Sequence, residues 1–109
     1  HVHSDNIEIG ISDYDDNEIE NGHFHPKQTE YQFVLWGKTE YLDLDLKETS
    51  CFLEGDFYCI KPFTKYAQRI YGKTRILFIK TPAINDKVTL EHDQFTKEWL
   101  ESHIVKGAK

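Results

Sequence analysis

The segment Gly22-His23-Phe24-His25-Pro26-Lys27-Gln28-Thr29-Glu30 decides both the fold and the candidate site of this chain. Residues two apart on an extended strand project to the same face, so His23 and His25 are expected side by side. Pro26 ends the strand because proline cannot donate to a sheet ladder. A short turn then leads into a second strand, and an antiparallel hairpin return would place Glu30 across from the two histidines.

Short β-prone runs separated by glycines extend on both sides of this segment, a pattern typical of a sandwich or barrel. Leu42, Leu44 and Leu46 alternate with aspartates, as on a half-buried strand. The predicted strands are Asn6–Ser12, Glu18–His25, Glu30–Trp36, Thr39–Asp45, Ser50–Leu53, Asp56–Lys61, Ala67–Tyr71 and Arg75–Thr81.

The tail of the chain has helical spacing instead. Its apolar residues are Phe95, Trp99, Leu100 and Ile104. Asp93 is a suitable N-cap and Gly107 a suitable stop. We therefore expect a C-terminal helix over about residues 92–105, with its apolar stripe on the outside of the barrel or on a partner chain.

Composition limits the class of protein. The chain has 109 residues and a net charge of −6, which fits one domain and disfavours nucleic-acid binding, since no basic run is present. No stretch approaches the roughly 20 apolar residues that cross a membrane, and no secretory segment opens the chain. The two cysteines predict free thiols in a reducing cytoplasm, with Cys59 as buried filler. The opening His1-Val2-His3-Ser4 has the character of a tag remnant or domain edge, with no expected function.

Two imidazoles and a carboxylate that converge can bind a first-row divalent metal. Two alternatives remain open from the residues alone. The histidines can act as a metal-free acid–base pair, because a pKa near about 6.5 allows proton transfer at neutral pH, or they can be polar wall residues. If Glu30 faces inward, alternation also turns Gln32, Val34 and Trp36 inward, and Gln32 becomes a candidate substrate-binding residue.

The segment resembles the first sequence motif of the cupin superfamily. In that motif a His-x-His pair is followed by glutamate and, after six intervening residues, by glycine; here these are His23, His25, Glu30 and Gly37. The run Gly55-Asp56-Phe57-Tyr58-Cys59-Ile60-Lys61-Pro62 is similar to the start of the second motif. The resemblance covers about residues 23–71. It implies one all-β domain over residues 1–109, a double-stranded β-helix or jelly-roll barrel over about 6–88, followed by the helix.

The resemblance also implies a ligand set with one departure. Metal-binding cupins end the second motif in a third histidine, and Tyr66 occupies that position here. The implied metal ligands are His23, His25, Glu30 and Tyr66, for Zn, Ni, Fe or Mn. The implied catalytic residues are His23, His25 and Tyr66, and Gln68 on the same face is a candidate substrate-binding residue. Metal-free sugar-nucleotide ketoisomerases and epimerases of the superfamily use histidines in this region as acids and bases.

The expected function is therefore action on a small polar substrate, a carbohydrate or sugar nucleotide, in an isomerase- or epimerase-like reaction. The alternatives are a non-catalytic metal- or sugar-binding module and an Fe(II)-dependent dioxygenase. Cupins commonly pair through outer strands, so the resemblance implies a homodimer through the face of Tyr31, Phe33 and Leu35. Arg69 is expected in a surface ion pair, and Lys80–Lys87 is interpreted as a connector loop.

Overall fold

The computed structural model describes residues 2–3 and 6–105, and side chains within 6–103. His1, Ser4 and the predicted helix stop at Gly107 lie outside the described residues. The elements are β1 (Val2–His3), β2 (Glu8–Tyr14), β3 (Glu18–Phe24), β4 (Thr29–Trp36), β5 (Lys38–Asp43), β6 (Glu48–Leu53), β7 (Phe57–Ile60), β8 (Tyr66–Ile70), β9 (Thr74–Thr81), β10 (Val88–Thr89) and α1 (Gln94–Val105).

The strands form two five-stranded antiparallel sheets. Sheet A has the order β1-β2-β9-β4-β7 and sheet B the order β10-β3-β8-β5-β6. The eight strands predicted from the sequence correspond to β2–β9, each boundary within two residues. The two-residue strands β1 and β10 carry too little pattern to be predicted. The all-β prediction with one C-terminal helix is confirmed.

The predicted hairpin around Pro26 is wrong in its pairing. β3 belongs to sheet B and β4 to sheet A, so the turn between them crosses from one sheet to the other. Glu30 pairs with Ile60 and Lys80 in sheet A. It still faces the histidines, because the inner faces of the two sheets look at each other across the interior.

Two bulges change which side chains face the interior. On β3, Glu20 pairs with Gln68 and His23 pairs with Tyr66, so two residues there oppose one residue of β8. The extra residue turns both Glu20 and His23 inward. On β4 the register shifts after Val34, and Trp36 turns outward and is 46% exposed, which corrects its predicted inward position.

The helix covers the outer face of sheet B. It packs against β3 and β8, and the Asp93 carboxylate accepts a hydrogen bond from the Thr96 N–H at 2.8 Å as the predicted N-cap. Leu100 is 2% exposed, whereas Phe95 is 50% exposed, so Phe95 was wrongly placed on the packing face. Thr96 and His103 are buried instead.

Buried residues beneath the helix confirm this cover. Leu42 and Ala67 are cross-strand neighbours with no exposure, although alternation turns Ala67 away from the interior. Arg69 pairs with the Glu40 carboxylate on the same face and stacks over the Trp99 ring at 4.1 Å. Its predicted ion pair is present and is partly covered by α1.

The strand predicted from the leucine alternation, Thr39–Asp45, extends beyond the end of β5. β5 ends at Asp43, and a turn over residues 44–47 leaves Leu46 66% exposed. The Asp43 carboxylate closes this turn by accepting hydrogen bonds from the N–H groups of Asp45 and Leu46, both at 2.9 Å. An aspartate that satisfies local backbone donors competes with continuation of the strand.

The outer face of sheet A has no cover within the described residues. Strand register aligns eight uncharged side chains there in two rows: Ile9–Ile79–Tyr31–Cys59 and Ile11–Leu77–Phe33–Phe57. Cys59 is exposed, which corrects its predicted burial; both cysteines are free as expected. The Asp13–Arg75 ion pair, at 2.6 Å, bounds the rows at one end. No helix among the described residues is long and apolar enough to span a membrane.

Candidate active site

The interior between the two sheets contains a polar cavity of about 520 Å³. All six residues predicted from the sequence line it: His23, His25, Glu30, Gln32, Tyr66 and Gln68. The cavity also has lining residues that the sequence did not single out, among them Glu20, Gln28, Lys80 and Lys87. The fold thus brings the predicted set together, and it adds charged neighbours from β3, β9 and the loop after β9.

His23 is held in one neutral tautomer. It is 2% exposed, and its Nδ1 lies 2.9 Å from the carbonyl oxygen of Asn21. A carbonyl only accepts, so Nδ1 carries the proton, and Nε2 accepts the hydrogen bond from the Tyr66 hydroxyl at 3.0 Å. Burial lowers the pKa of His23, and this outweighs the favourable bond to the Asn21 carbonyl. The ring is therefore neutral at neutral pH.

His25 lies beside it with a free nitrogen. The two imidazole rings are 5.2 Å apart in an edge-to-face arrangement. His25 Nδ1 donates to Asp86 Oδ1 at 2.8 Å, so a neutral ring carries its lone pair on Nε2. That Nε2 has no hydrogen-bond partner among residues 6–103. A carboxylate that fixes the tautomer of a histidine leaves the other nitrogen ready to take a proton.

Asp86 remains ionised because its carboxylate accepts hydrogen bonds from three donors. Its Oδ2 accepts the backbone N–H groups of Lys27 at 2.7 Å and Gln28 at 3.0 Å. Burial opposes the charge, but the donors from Lys27, His25 and Gln28 together hold the pKa of Asp86 below its usual value. This residue lies 61 positions from His25 in the loop interpreted as a connector, and no local pattern marks it.

Gln28 attaches that loop to the turn between β3 and β4. Its side chain is 3% exposed, and Nε2 donates to the carbonyl oxygens of Pro82 at 3.0 Å and Ile84 at 2.7 Å. Ala83, Ile84 and Asn85 line the cavity as a result. The loop is therefore part of the cavity wall as well as a connection to β10.

Glu30 faces the histidines from sheet A. It is 8% exposed, and its Oε2 accepts a hydrogen bond from Gln32 Nε2 at 2.5 Å. Burial raises the pKa of Glu30 above 4.5, although Lys80 and the Gln32 bond act in the opposite direction. The amide of Gln32 is oriented by the hydroxyls of Tyr41 and Tyr58, which donate to its Oε1 at 2.8 and 2.6 Å.

Tyr66 stays protonated. It is 4% exposed, and burial, with the nearby carboxylates of Glu30 and Glu20, raises its pKa far above the usual 10. Its ring lies 4.5 Å from that of His23. Gln68, beside it on β8, donates through Nε2 to Thr39 Oγ1 at 2.8 Å and to the Tyr41 hydroxyl at 3.0 Å.

A divalent metal needs several ligand atoms that converge on one point. Within the described part of the chain, no three His, Cys, Asp or Glu side chains are placed to hold a metal ion together. His23 Nε2 is directed to the Tyr66 hydroxyl, and Tyr66 is held protonated, which removes it as an anionic ligand. The donor set as described therefore does not fit a divalent metal.

Known structures share this fold. A protein with a double-stranded β-helix domain from Klebsiella pneumoniae is 14% identical, with a TM-score of 0.71 over 84% of this chain and 80% of that one. An RmlC-like cupin from Desulfovibrio desulfuricans is 19% identical, with a TM-score of 0.64 over 77% and 79%. KdgF from a Halomonas species is 16% identical, with a TM-score of 0.67 over 78% and 76%.

These similarities show that the chain has the cupin-type double-stranded β-helix fold. No protein-family model matches the chain, and no curated protein does. Fold similarity at this level of sequence identity does not show which activity the chain has, because function depends on the residues of the site.

Proposed function

We propose that this protein is an acid–base enzyme that moves a proton between neighbouring carbons of a small polar substrate, in an isomerase- or epimerase-like reaction. The supporting observation is the His25–Asp86 pair, which leaves Nε2 of a tautomerically fixed imidazole without a protein partner in a polar cavity. Glu30, on the opposite sheet, has a pKa that burial raises, so it retains its proton to a higher pH than an exposed carboxyl.

Each group has a definite task in the proposed step. His25 Nε2 takes the proton from the carbon next to a carbonyl, while protonated Glu30 gives its proton to the carbonyl oxygen, and an enediol forms. Glu30 then takes back the proton of the neighbouring hydroxyl, and His25 protonates the adjacent carbon. Two titratable groups whose environments suit opposite roles are the usual basis for such acid–base pairs.

His23 and Tyr66 support this step without exchanging protons with the substrate carbon. Their hydrogen bond uses the lone pair of His23 Nε2 and the proton of Tyr66. The Tyr66 oxygen keeps lone pairs that can accept from a substrate hydroxyl. We assign them to positioning the substrate beside His25. Asp86 is likewise a positioning residue that acts through His25.

The test follows carbon-bound hydrogen in D2O. A panel of aldoses and ketoses is incubated with the protein, and loss of the proton at the carbon beside the carbonyl is measured by ¹H NMR. We expect exchange for at least one sugar, a loss of about 100-fold or more in His25→Gln, and an acid limb of the pH profile that changes in Asp86→Asn. Glu98→Gln, on the exposed face of α1, is the control that keeps the rate.

Absence of exchange for every sugar, or full exchange by His25→Gln, would reject the proposal. Saturable sugar binding without exchange would favour the binding-module alternative. Metal-dependent alternatives are tested by elemental analysis of protein purified without a nickel column. One divalent ion per chain, lost in both His23→Ala and Glu30→Ala, would replace the proposal by a metal site, and oxygen uptake after Fe(II) loading would identify a dioxygenase.

We also propose that the protein is a homodimer through the outer face of sheet A. The two rows defined above present eight uncharged side chains in the open, among them Phe57 at 62% and Ile11 at 50% exposure. An apolar patch of this kind is unusual on a monomer. The two rows carry no charge to pair with a charged partner, whereas two copies related by a two-fold axis match apolar side chains with apolar side chains.

The size of this face is consistent with a weak dimer. Four strands wide and about six residues long, it measures on the order of 400 Å² in projection. Two stacked faces would then bury on the order of 1,000 Å² in total, near the lower limit of specific interfaces. The predicted homodimer is therefore expected to dissociate on dilution.

A further inference from the structure

We infer that the substrate of this cavity is an uncharged, hydroxyl-rich molecule such as a free sugar, and that nucleotide sugars and sugar phosphates are excluded. The inference rests on the proposed function of the same site, and it decides between the two substrate classes that the sequence left open. It follows from which hydrogen-bonding atoms of the cavity wall remain unused and from how its charges are already paired.

Two nearly buried side chains aim unused hydrogen-bonding oxygens into the cavity. Glu30 is 8% exposed and Gln68 is 5% exposed, and among the described residues neither Oε1 has a hydrogen-bond partner. No buried side-chain nitrogen or oxygen in that part of the chain lacks a partner. Both Oε1 atoms must therefore be accessible to solvent, and the cavity is the open space that these two residues line.

The neighbouring donors are already engaged. Gln32 Nε2 donates to Glu30, and Gln68 Nε2 donates to Thr39 and Tyr41. His25 Nε2 is a further acceptor when the ring is neutral. Gln68 Oε1 and His25 Nε2 can therefore be satisfied only by a ligand that supplies hydrogen-bond donors. Hydroxyl groups of a sugar do so; a phosphate group, which is an acceptor at neutral pH, does not.

The two lysines that line the cavity each have a carboxylate nearby, and Lys87 is ion-paired with its neighbour. Lys87 Nζ lies 2.8 Å from Glu20 Oε2, and Lys80 is the cross-strand neighbour of Glu30, whose pKa it lowers. Phosphate recognition favours arginine forks or free backbone N–H groups at a helix start. Arg69 and Arg75, the two arginines of the chain, lie on outer faces in ion pairs with Glu40 and Asp13.

The start of α1 is also not available to bind an anion in the cavity. α1 lies on the outer face of sheet B, and its first turn is capped by Asp93. A dianion entering the cavity would meet the carboxylate of Glu20, and Lys87 is already paired with that carboxylate, so binding of the dianion costs free energy. An uncharged sugar meets no such penalty.

The first experiment measures the preference of the cavity with nitroxide probes of similar size that carry an amino, a hydroxyl or a carboxylate group. Paramagnetic relaxation is recorded by NMR at cavity residues His25 and Gln68 and, as reference, at Lys97 on the helix surface. Relative to the reference, we expect the hydroxyl probe to act at least about twofold more strongly than the carboxylate probe. An equal or stronger effect of the carboxylate probe would overturn the inference.

The second experiment uses Glu20→Gln, which releases Lys87 and removes no hydrogen bond or ion pair of His25, Asp86 or Glu30. With this variant the relative effect of the carboxylate probe is expected to rise at least about twofold, whereas Glu98→Gln leaves it unchanged. No rise would show that the ion pair does not set the preference. Neither outcome depends on hydrogen exchange in D2O, so failure of this inference and failure of the proposed reaction are separate results.

Discussion

Sheet A and sheet B have equal numbers of strands, but within the described residues only the outer face of sheet B is covered. Sheet B is covered by α1, with Leu42 and Ala67 fully buried beneath it. Sheet A leaves Ile11 and Phe57 half or more exposed. The chain thus covers the outer face of sheet B itself, and the proposed dimer would cover the outer face of sheet A. The following predictions test this difference.

The largest effect is expected under the helix. Leu100→Ala removes a buried side chain between α1 and sheet B and should lower the free energy of unfolding by about 2–5 kcal/mol. Phe95→Ala, on the same helix but half exposed, is the matched control and should cost less than about 1 kcal/mol. Urea denaturation measures both. Equal losses would mean that the helix is not a cover of sheet B.

The next effect concerns the bare face. Ile11→Glu places a charge within the proposed interface, at the β2 end of one row, and should raise the dimer dissociation constant at least about tenfold, since two buried carboxylates would face apolar side chains. Sedimentation velocity over a concentration series measures this. Thr49→Glu, exposed on sheet B opposite Leu42, is the control. A wild-type monomer at all concentrations would contradict the dimer proposal.

A smaller effect concerns Glu30, on the inner face of sheet A. The pKa of Glu30 is raised in the folded protein, so its contribution to stability is greatest below about pH 4.5 and is lost as pH rises through the raised pKa. Glu30→Gln should therefore stabilise the protein by about 1 kcal/mol at pH 7–8 and give no gain near pH 4. Thermal unfolding across this range measures the difference. A destabilised variant at pH 8 would show that the ionised carboxylate is well solvated.

The smallest effect uses the two free thiols as internal reporters. Cys59 lies in the bare face of sheet A and Cys51 on β6 of sheet B, and both are exposed in the single chain. In a dimer, Cys59 should react with a maleimide about threefold or more slowly than in the Ile11→Glu variant, while Cys51 keeps its rate. Mass spectrometry distinguishes the two sites. Parallel changes at both thiols would indicate a global opening instead.

The sequence predicts the fold well because strand identity depends on local alternation and turns. The six site residues predicted from the sequence all line the cavity. The prediction was possible because His23, His25 and Glu30 lie close together in the sequence. It misses Glu20, because a bulge shifts the phase of β3 and cannot be seen in an alternation pattern. It misses Asp86 and Lys87 because their partners His25 and Glu20 lie 61 and 67 positions away. The hairpin prediction failed because a short turn does not show which sheet receives the next strand.

Gly22, within the β3 bulge, connects β3 to the segment that leads into α1. Its N–H donates to His92 Nε2 at 2.9 Å, and its carbonyl accepts the N–H of Leu90 at 2.9 Å. A methyl group at this position would lie 2.8 Å from Leu44 Cδ1 and 3.3 Å from the His92 ring. A β-carbon here would therefore require the Leu44 and His92 side chains to shift. Its absence lets the segment that leads into α1 lie directly against the strand that carries His23.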